Sequence, residues 1–236
     1  MHATISWRRI RAGTVLCGLL WSVAAVPGQS GAQAASEPVA LPPAIPIFPL
    51  QDVMLFPNAS RPLHIFEPRY REMVADALEG DRIIGMVMLH AGYEDEYAGT
   101  PPIYDIGAAG VITNVERLPD GRYNIVLSGL ARFRVASEDR SRAYRVAEIE
   151  VLPEPLNESD RNALRGHRPL LMELLASVAP GQTPTPDELP DEMLVNGLSQ
   201  FLGMSALDRL DLLRREGPLA RAEALIGLLE RGELSR

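Results

Sequence analysis

Apolar residues in the first half of this chain gather in short runs and do not follow a helical stripe. Ile47, Phe48, Leu50, Val53, Leu55, Phe56, Leu63, Ile65 and Phe66 are interrupted by Pro49, Pro57 and Pro62, a pattern that predicts short strands. Proline brings no amide proton to a sheet ladder, so these positions predict strand starts, edges or bulges, as in a small barrel with kinked strands. The period then changes. Pro68 suits the first position of a helix, and Tyr70, Met73, Val74, Ala77 and Leu78 recur at helical spacing until Gly80.

Strand-like runs resume at residues 83–89, 106–115, 123–127, 132–135 and 144–151. Pro119, Asp120 and Gly121 supply turn chemistry, so residues 111–128 are predicted to form a β-hairpin. Residues 91–103, AGYEDEYAGTPPI, show neither apolar period and predict a surface loop of a length that often contacts ligands. Beyond Pro153 and Pro155 the pattern becomes helical. Leu164, Leu170, Leu171, Leu174, Leu175 and Val178 share one side of a helix over 158–178, and after a linker at 180–190 come apolar helical patterns at 193–202, 207–213 and 219–229. Ser205 followed by Asp208 resembles a capping box, with Asp in place of the usual Glu or Gln.

Three blocks in order carry a family resemblance: FPLQDVMLFPNASRPLHIFEPRYREMV, YDIGAAGVITNVERLPDGRYNIVLSGLARFRV and YRVAEIEVL. Within them Pro49-Leu50, Leu55-Phe56-Pro57, Ile65-Phe66-Glu67-Pro68-Arg69-Tyr70, Gly107, Asp120-Gly121-Arg122-Tyr123, Gly129 and Arg132-Phe133 match the pattern of the amino-terminal domain of Lon proteases. The resemblance covers residues 45–235. It implies an α+β fold, a PUA-like β pseudo-barrel with one inserted helix followed by a C-terminal helical bundle, and a module that engages polypeptide substrates. The expected organisation is a signal peptide at 1–34, a flexible segment at 35–44, a barrel subdomain at 45–152 and a bundle subdomain at 153–236. The matched positions are expected to serve structure, through ion pairing, capping or turn formation at Glu67, Arg69 and Asp105; residues that bind peptide are not identified.

Catalytic chemistry is thin. All 23 Lys+Arg residues are arginine, so the chain holds no lysine for a Walker A phosphate loop or for the Ser-Lys dyad of Lon-type peptidases. Arginine cannot replace lysine as a base because its guanidinium stays protonated. The sequence after the helices ends at Arg236 with neither an ATPase nor a peptidase module, and a non-enzymatic stand-alone form is expected. Gly197-Leu198-Ser199-Gln200 begins like a nucleophile elbow, yet Phe201 occupies the final glycine position and the segment predicts helix interior. His64, His90 and His167 lack ligand spacing, so no metal site and no cofactor are expected. Glu94, Asp95 and Glu96 predict a solvated acidic loop.

The formal charge of −8 argues against nucleic acid as a partner, although PUA-like folds elsewhere bind RNA, because phosphate contacts require a basic face. At the start, Arg8, Arg9 and Arg11 precede the apolar run 12–26, and Ala32-Gln33-Ala34 has the shape of a signal-peptidase site, with a cut after Ala25 as the alternative. Removing 1–34 takes three arginines and no acid, leaving a formal charge of 20 − 31 = −11. Export is therefore expected, with the membrane met only through the transient leader and a cytoplasmic location if the start is mis-assigned. With 46% hydrophobic residues, the chain is expected to fold without a cofactor. The expected function is recognition of unfolded or exposed polypeptide segments in a groove where barrel and helices join. Two alternatives are a small-ligand receptor with 91–103 as a lid over an enclosed apolar cavity, and a hydrolase with convergent Glu, Asp and His in a cleft.

Overall fold

The computed structural model describes residues 40–93, 99–178 and 189–234. The expected leader and half of the segment after it, the acidic run 94–96 and most of the linker at 180–190 lie outside these residues. Six strands are formed: β1 (Ala44–Leu50), β2 (Ser60–Ile65), β3 (Ile83–Leu89), β4 (Ile103–Arg117), β5 (Tyr123–Asp139) and β6 (Arg145–Val151). Helix α1 (Pro68–Glu79) lies between β2 and β3. After the strands come α2 (Glu158–Val178), α3 (Asp191–Phe201), α4 (Ala206–Arg214) and α5 (Gly217–Glu230).

The sheet runs in the order β2-β5-β4-β3-β1-β6, and β5 also pairs with β6, so five strands close into a ring and β2 lies outside it on β5. Closure places Ala44 opposite Glu148, and Phe133 opposite Val151. Each strand of the ring contributes to one small cluster, Ile45 and Ile47 with Val87, Ala109, Phe133 and Ala147, which fills the barrel interior. Side chains of opposite parity point outward, where Phe48, Met86, Met88 and Ala108 join a second, larger core shared with α1 and the C-terminal helices. The described residues all fall within one compact unit.

Prolines sit where the ladder can spare an amide. Strand β1 pairs with β6 over Ala44–Ile47 and with β3 over Ile47–Leu50. Pro46 and Pro49 thus each lie where β1 has a neighbour on one side only, and Pro62 lies on β2, at the edge. Helix α1 begins at Pro68 and stops at Gly80, as its local signals predict. The hairpin forms across Arg117 and Tyr123, with the Leu118 amide donating to the Arg122 carbonyl at 2.8 Å and Gly121 at φ 82°. The Ser205 hydroxyl caps α4 by accepting from the Asp208 amide at 3.1 Å.

Two strand expectations are corrected. The run Val53, Leu55, Phe56 is no strand: Met54, Leu55 and Phe56 are buried in a connection that plugs the larger core, and strand-length apolar runs fit either role. Residues 123–127 and 132–135 belong to one strand, β5. Its apparent break at Gly129 is a bulge, where Ala109 pairs with Ala131 but Gly110 pairs with Gly129. A Cβ at Gly129 would lie 2.0 Å from the Phe56 carbonyl oxygen, so glycine admits the 56–59 turn, which exchanges backbone bonds of 2.8–2.9 Å with it.

Candidate functional site

The seam between barrel and bundle is sealed by charge. On β5, Phe133 points into the barrel, so Arg132 points out, toward the helices. Its guanidinium donates to the carbonyls of Leu213 at 3.0 Å and Pro153 at 2.7 Å, and to the Glu154 carboxylate. Arg221 of α5 reaches the same carboxylate at 3.0 Å, and donates to the Leu212 carbonyl at 3.1 Å and to Asn196 Oδ1. Both arginines are almost fully buried, and desolvation lowers the Arg221 pKa while Glu154 opposes that shift. Arg221 also lies 5.6 Å over the Phe56 ring, tying the plug to α5.

Gln200, at the end of α3, makes a second join. The Phe56 amide donates to Gln200 Oε1 at 3.0 Å, and Gln200 Nε2 donates to the Ser60 carbonyl at 2.9 Å. The side chain thereby satisfies backbone groups that a strand partner would otherwise take.

The outer rim of this seam is where the surface becomes apolar and cationic together. Phe201, 58% exposed, ends α3, and Leu207, 57% exposed, lies in the first turn of α4. The Arg61 guanidinium sits 5.2 Å over the Phe201 ring and donates to the Gln200 carbonyl at 3.4 Å. Arg209 donates to the carbonyls of Leu202 at 3.1 Å and Asp52 at 3.3 Å. The Nε atoms of both arginines are buried with no acceptor.

Residues expected from the family pattern are spread across the barrel. Pro49 and Leu50 end β1, Phe56 and Pro57 belong to the plug, and Pro68 opens α1. Glu67 faces Arg69 at 3.0 Å, and Tyr70 packs on Phe48 with ring centroids 4.4 Å apart. Gly107 underlies the Phe133 ring, whose Cζ atom would be 2.8 Å from an added Cβ. Phe66 is 59% exposed at the far end of β2. Asp120 pairs with Arg122 at 2.6 Å, and the Arg122 amide donates to the same carboxylate, holding its pKa below the ordinary aspartate value. Asp105 stands 3.7 Å from both Arg134 and Arg214.

Catalytic and metal constellations do not assemble among the described residues. Ser199 is buried inside α3 and donates to the Val195 carbonyl at 2.8 Å, so it cannot act as an elbow nucleophile. No group of three His, Cys, Asp or Glu residues could hold a metal ion. A shallow groove of about 350 Å³ on the outer face of β2, β5 and β4 brings His64, Asn124 and Glu116 together. His64 Nδ1 lies 2.7 Å from Asn124 Oδ1, and Asn124 donates to Glu116 at 2.7 Å, but neither hydroxyl nor thiol lines the groove. The space beside Gly99, Thr100 and Pro101 is about 50 Å³ and is lined by Arg69, Arg140, Arg142 and Arg145. A few waters would fill it. An apolar chamber under that loop is not found among the described residues.

Arg61, Arg209, Glu154 and Arg221 carry no local signal in the sequence, because each meets its partners only across the seam. Phe201 carries none either: seven positions after Leu194 and three after Leu198, it falls on the apolar stripe of α3, so the pattern predicts burial where the structure leaves it exposed.

A five-stranded ring joined through buried charge to a helical bundle defines an α+β domain. A profile described as "ATP-dependent protease La (LON) substrate-binding domain" matches residues 44–231, and the chain belongs to that family. It is 31% identical to the Lon protease of Dictyoglomus thermophilum over 67% of this chain and 19% of that protein. Against the Lon protease of Trichlorobacter lovleyi it is 27% identical over 84% of this chain and 25% of that protein. The chain therefore spans about a fifth to a quarter of these curated relatives. Among solved structures, a Lon N-terminal domain protein from Xanthomonas campestris matches with TM-score 0.59 and 26% identity over 78% of this chain and 97% of that one. The N-terminal domain of a Mycobacterium avium complex Lon protease shares the fold, with TM-score 0.62 and 16% identity over 79% of this chain and 98% of that one.

Proposed function

We propose that this protein is a non-catalytic recognition module that binds exposed apolar segments of unfolded polypeptides at the rim of the barrel–bundle seam. The observation that carries the reading is the pair Phe201 and Leu207, both more than half exposed beside the anchored Gln200. Large apolar groups held on a rigid frame in water supply contact area without ordering cost, and they tolerate many sequences at modest affinity. Membership of a substrate-binding family supports polypeptide as the ligand. A non-enzymatic role is supported by the absence of lysine, which excludes both Lon-type active groups from this sequence. The arginine-led apolar start supports export, which would place the module in protein quality control outside the cytoplasm.

The test is titration of the chain, without nucleotide, against a fluorescently labelled unfolded protein and the folded form of the same protein. Selective binding of the unfolded form without cleavage is expected, weakened about tenfold in a Phe201→Ser, Leu207→Ser variant by the loss of two apolar contacts. Equal binding of folded and unfolded forms, or cleavage, would overturn the proposal.

A further inference from the structure

Two positive charges on the same rim, Arg61 and Arg209, touch no carboxylate among the described residues. The sequence offers 31 acids to 23 arginines, so an arginine without a carboxylate is not forced by composition. By contrast, the half-buried Arg168 meets Asp191, and the buried Arg145 meets Glu138 at 3.3 Å. Arg61 and Arg209 reach no carboxylate within ion-pair distance among the described residues. Their acceptors are backbone carbonyls at 3.1–3.4 Å, long against the ~2.7–2.9 Å of charge-assisted bonds. Burial lowers both pKa values, and the nearness of Arg209 lowers that of Arg61 further, while the Asp52 charge acts on both in the opposite sense from beyond contact. The protein thus holds two partly desolvated like charges together, an arrangement that an incoming anion relieves.

We propose that Arg61 and Arg209 read a carboxylate, and that the rim selects polypeptide segments in which an aspartate or glutamate side chain is flanked by apolar residues. This rests on the reading of the rim as a polypeptide-binding surface. The Arg61 guanidinium lies against the end of α3, at the Gln200 carbonyl and the Phe201 ring, and that of Arg209 against Leu202 just beyond it, with Leu207 following on α4, so apolar contacts are available beside the acid. That favours a side-chain carboxylate within a segment over one at a chain end. The rim is open, which suits a strand of polypeptide better than an enclosed small acid. A polyanion such as nucleic acid meets the opposing net charge of −8, whereas a single carboxylate needs only the local pair.

The experiment uses the full chain and three short labelled peptides with blocked ends, identical but for one central position between leucines and phenylalanines: Asp, Asn or Lys. Fluorescence anisotropy is read at low and at physiological salt. The Asp peptide is expected to bind about tenfold more tightly than the Asn peptide, the worth of one charge-assisted hydrogen bond, with the Lys peptide weakest and the preference shrinking with salt. In an Arg61→Gln, Arg209→Gln variant the Asp and Asn peptides should bind alike, at the affinity of the Asn peptide for the parent. Equal binding of Asp and Asn peptides to the parent overturns this proposal and leaves apolar recognition standing. Failure of all three to bind overturns the recognition reading itself. Should the double variant not fold, the Asp-to-Asn comparison on the parent decides alone. Competition by a single-stranded DNA oligonucleotide at equal charge also overturns it.

Discussion

Replacing Glu154 with glutamine keeps the size of the side chain and removes the charge that Arg132 and Arg221 share. Two guanidiniums, 1% and 0% exposed, would then sit in the seam without a counter-ion. Breaking a buried pair by removing one partner costs about 3–5 kcal/mol. The Glu154 side chain is 24% exposed, and the carbonyls of Pro153, Leu212 and Leu213 continue to accept from the arginines, so the lower end, about 3 kcal/mol, is expected. For a domain of this size that corresponds to a fall of about 6–12 °C in Tm. Urea unfolding followed by far-UV circular dichroism and by tyrosine absorbance checks it. The helix signal reports chiefly the bundle, and the buried Tyr70, Tyr123 and Tyr144 report the barrel. Both should move to a lower midpoint together, because the larger core and the Glu154 network span both parts. A loss below about 0.5 kcal/mol, the range of ordinary surface changes, would refute the reasoning. A shift confined to one probe would show that the seam does not couple the two halves.

Gln200→Ala should leave the Phe56 amide and the Ser60 carbonyl without partners and cost about 2 kcal/mol in the same urea assay. Gly107→Ala should destabilise by about 1–3 kcal/mol or prevent folding, since the new methyl would meet the Met86 carbonyl oxygen at 2.4 Å; wild-type stability would refute the packing described. The Asp120 carboxyl should titrate below the ordinary aspartate range in an NMR pH series, held down first by the Arg122 amide. Because its folded pKa is the lower one, its contribution is present above the unfolded value and is lost as pH falls through the folded value. Acid unfolding of Asp120→Asn should therefore differ from the parent near neutrality and converge with it in strong acid.

Where elements could be read from sequence, their determinants were local. Pro68 opens α1 through its fixed φ, and the Asp120-Gly121 turn, with Gly121 at φ 82°, sets its hairpin within a few positions. Leu55 and Phe56 misled because an apolar run of strand length is also what a buried plug requires. What settles the matter is Gln200, 144 positions away, which satisfies the Phe56 amide that a ladder would otherwise have claimed. Gly129 misled in the opposite direction: it resembles a break between strands, while its role is to let the 56–59 turn approach an unbroken β5. Family motif residues were legible as a set, yet the rim was not, because Arg61 and Arg209 become a pair only when β2 and α4 are brought together.

Ring closure sets an order of events during folding. The pairing of β1 with β6 joins the first strand to the last, and β1 also runs parallel to β3, so neither contact is local. The hairpin of β4 and β5 can form early, at the low entropic cost of a short turn, whereas the barrel cannot shut until β6 has left the ribosome or crossed a membrane. Until then the edge of β1 that awaits β6 stays open, and Pro46 and Pro49 remove donors from the two segments of β1 that have a neighbour on one side only. A domain proposed to handle other proteins' unfolded segments thus carries, in the strand that closes its ring, a guard against pairing with them.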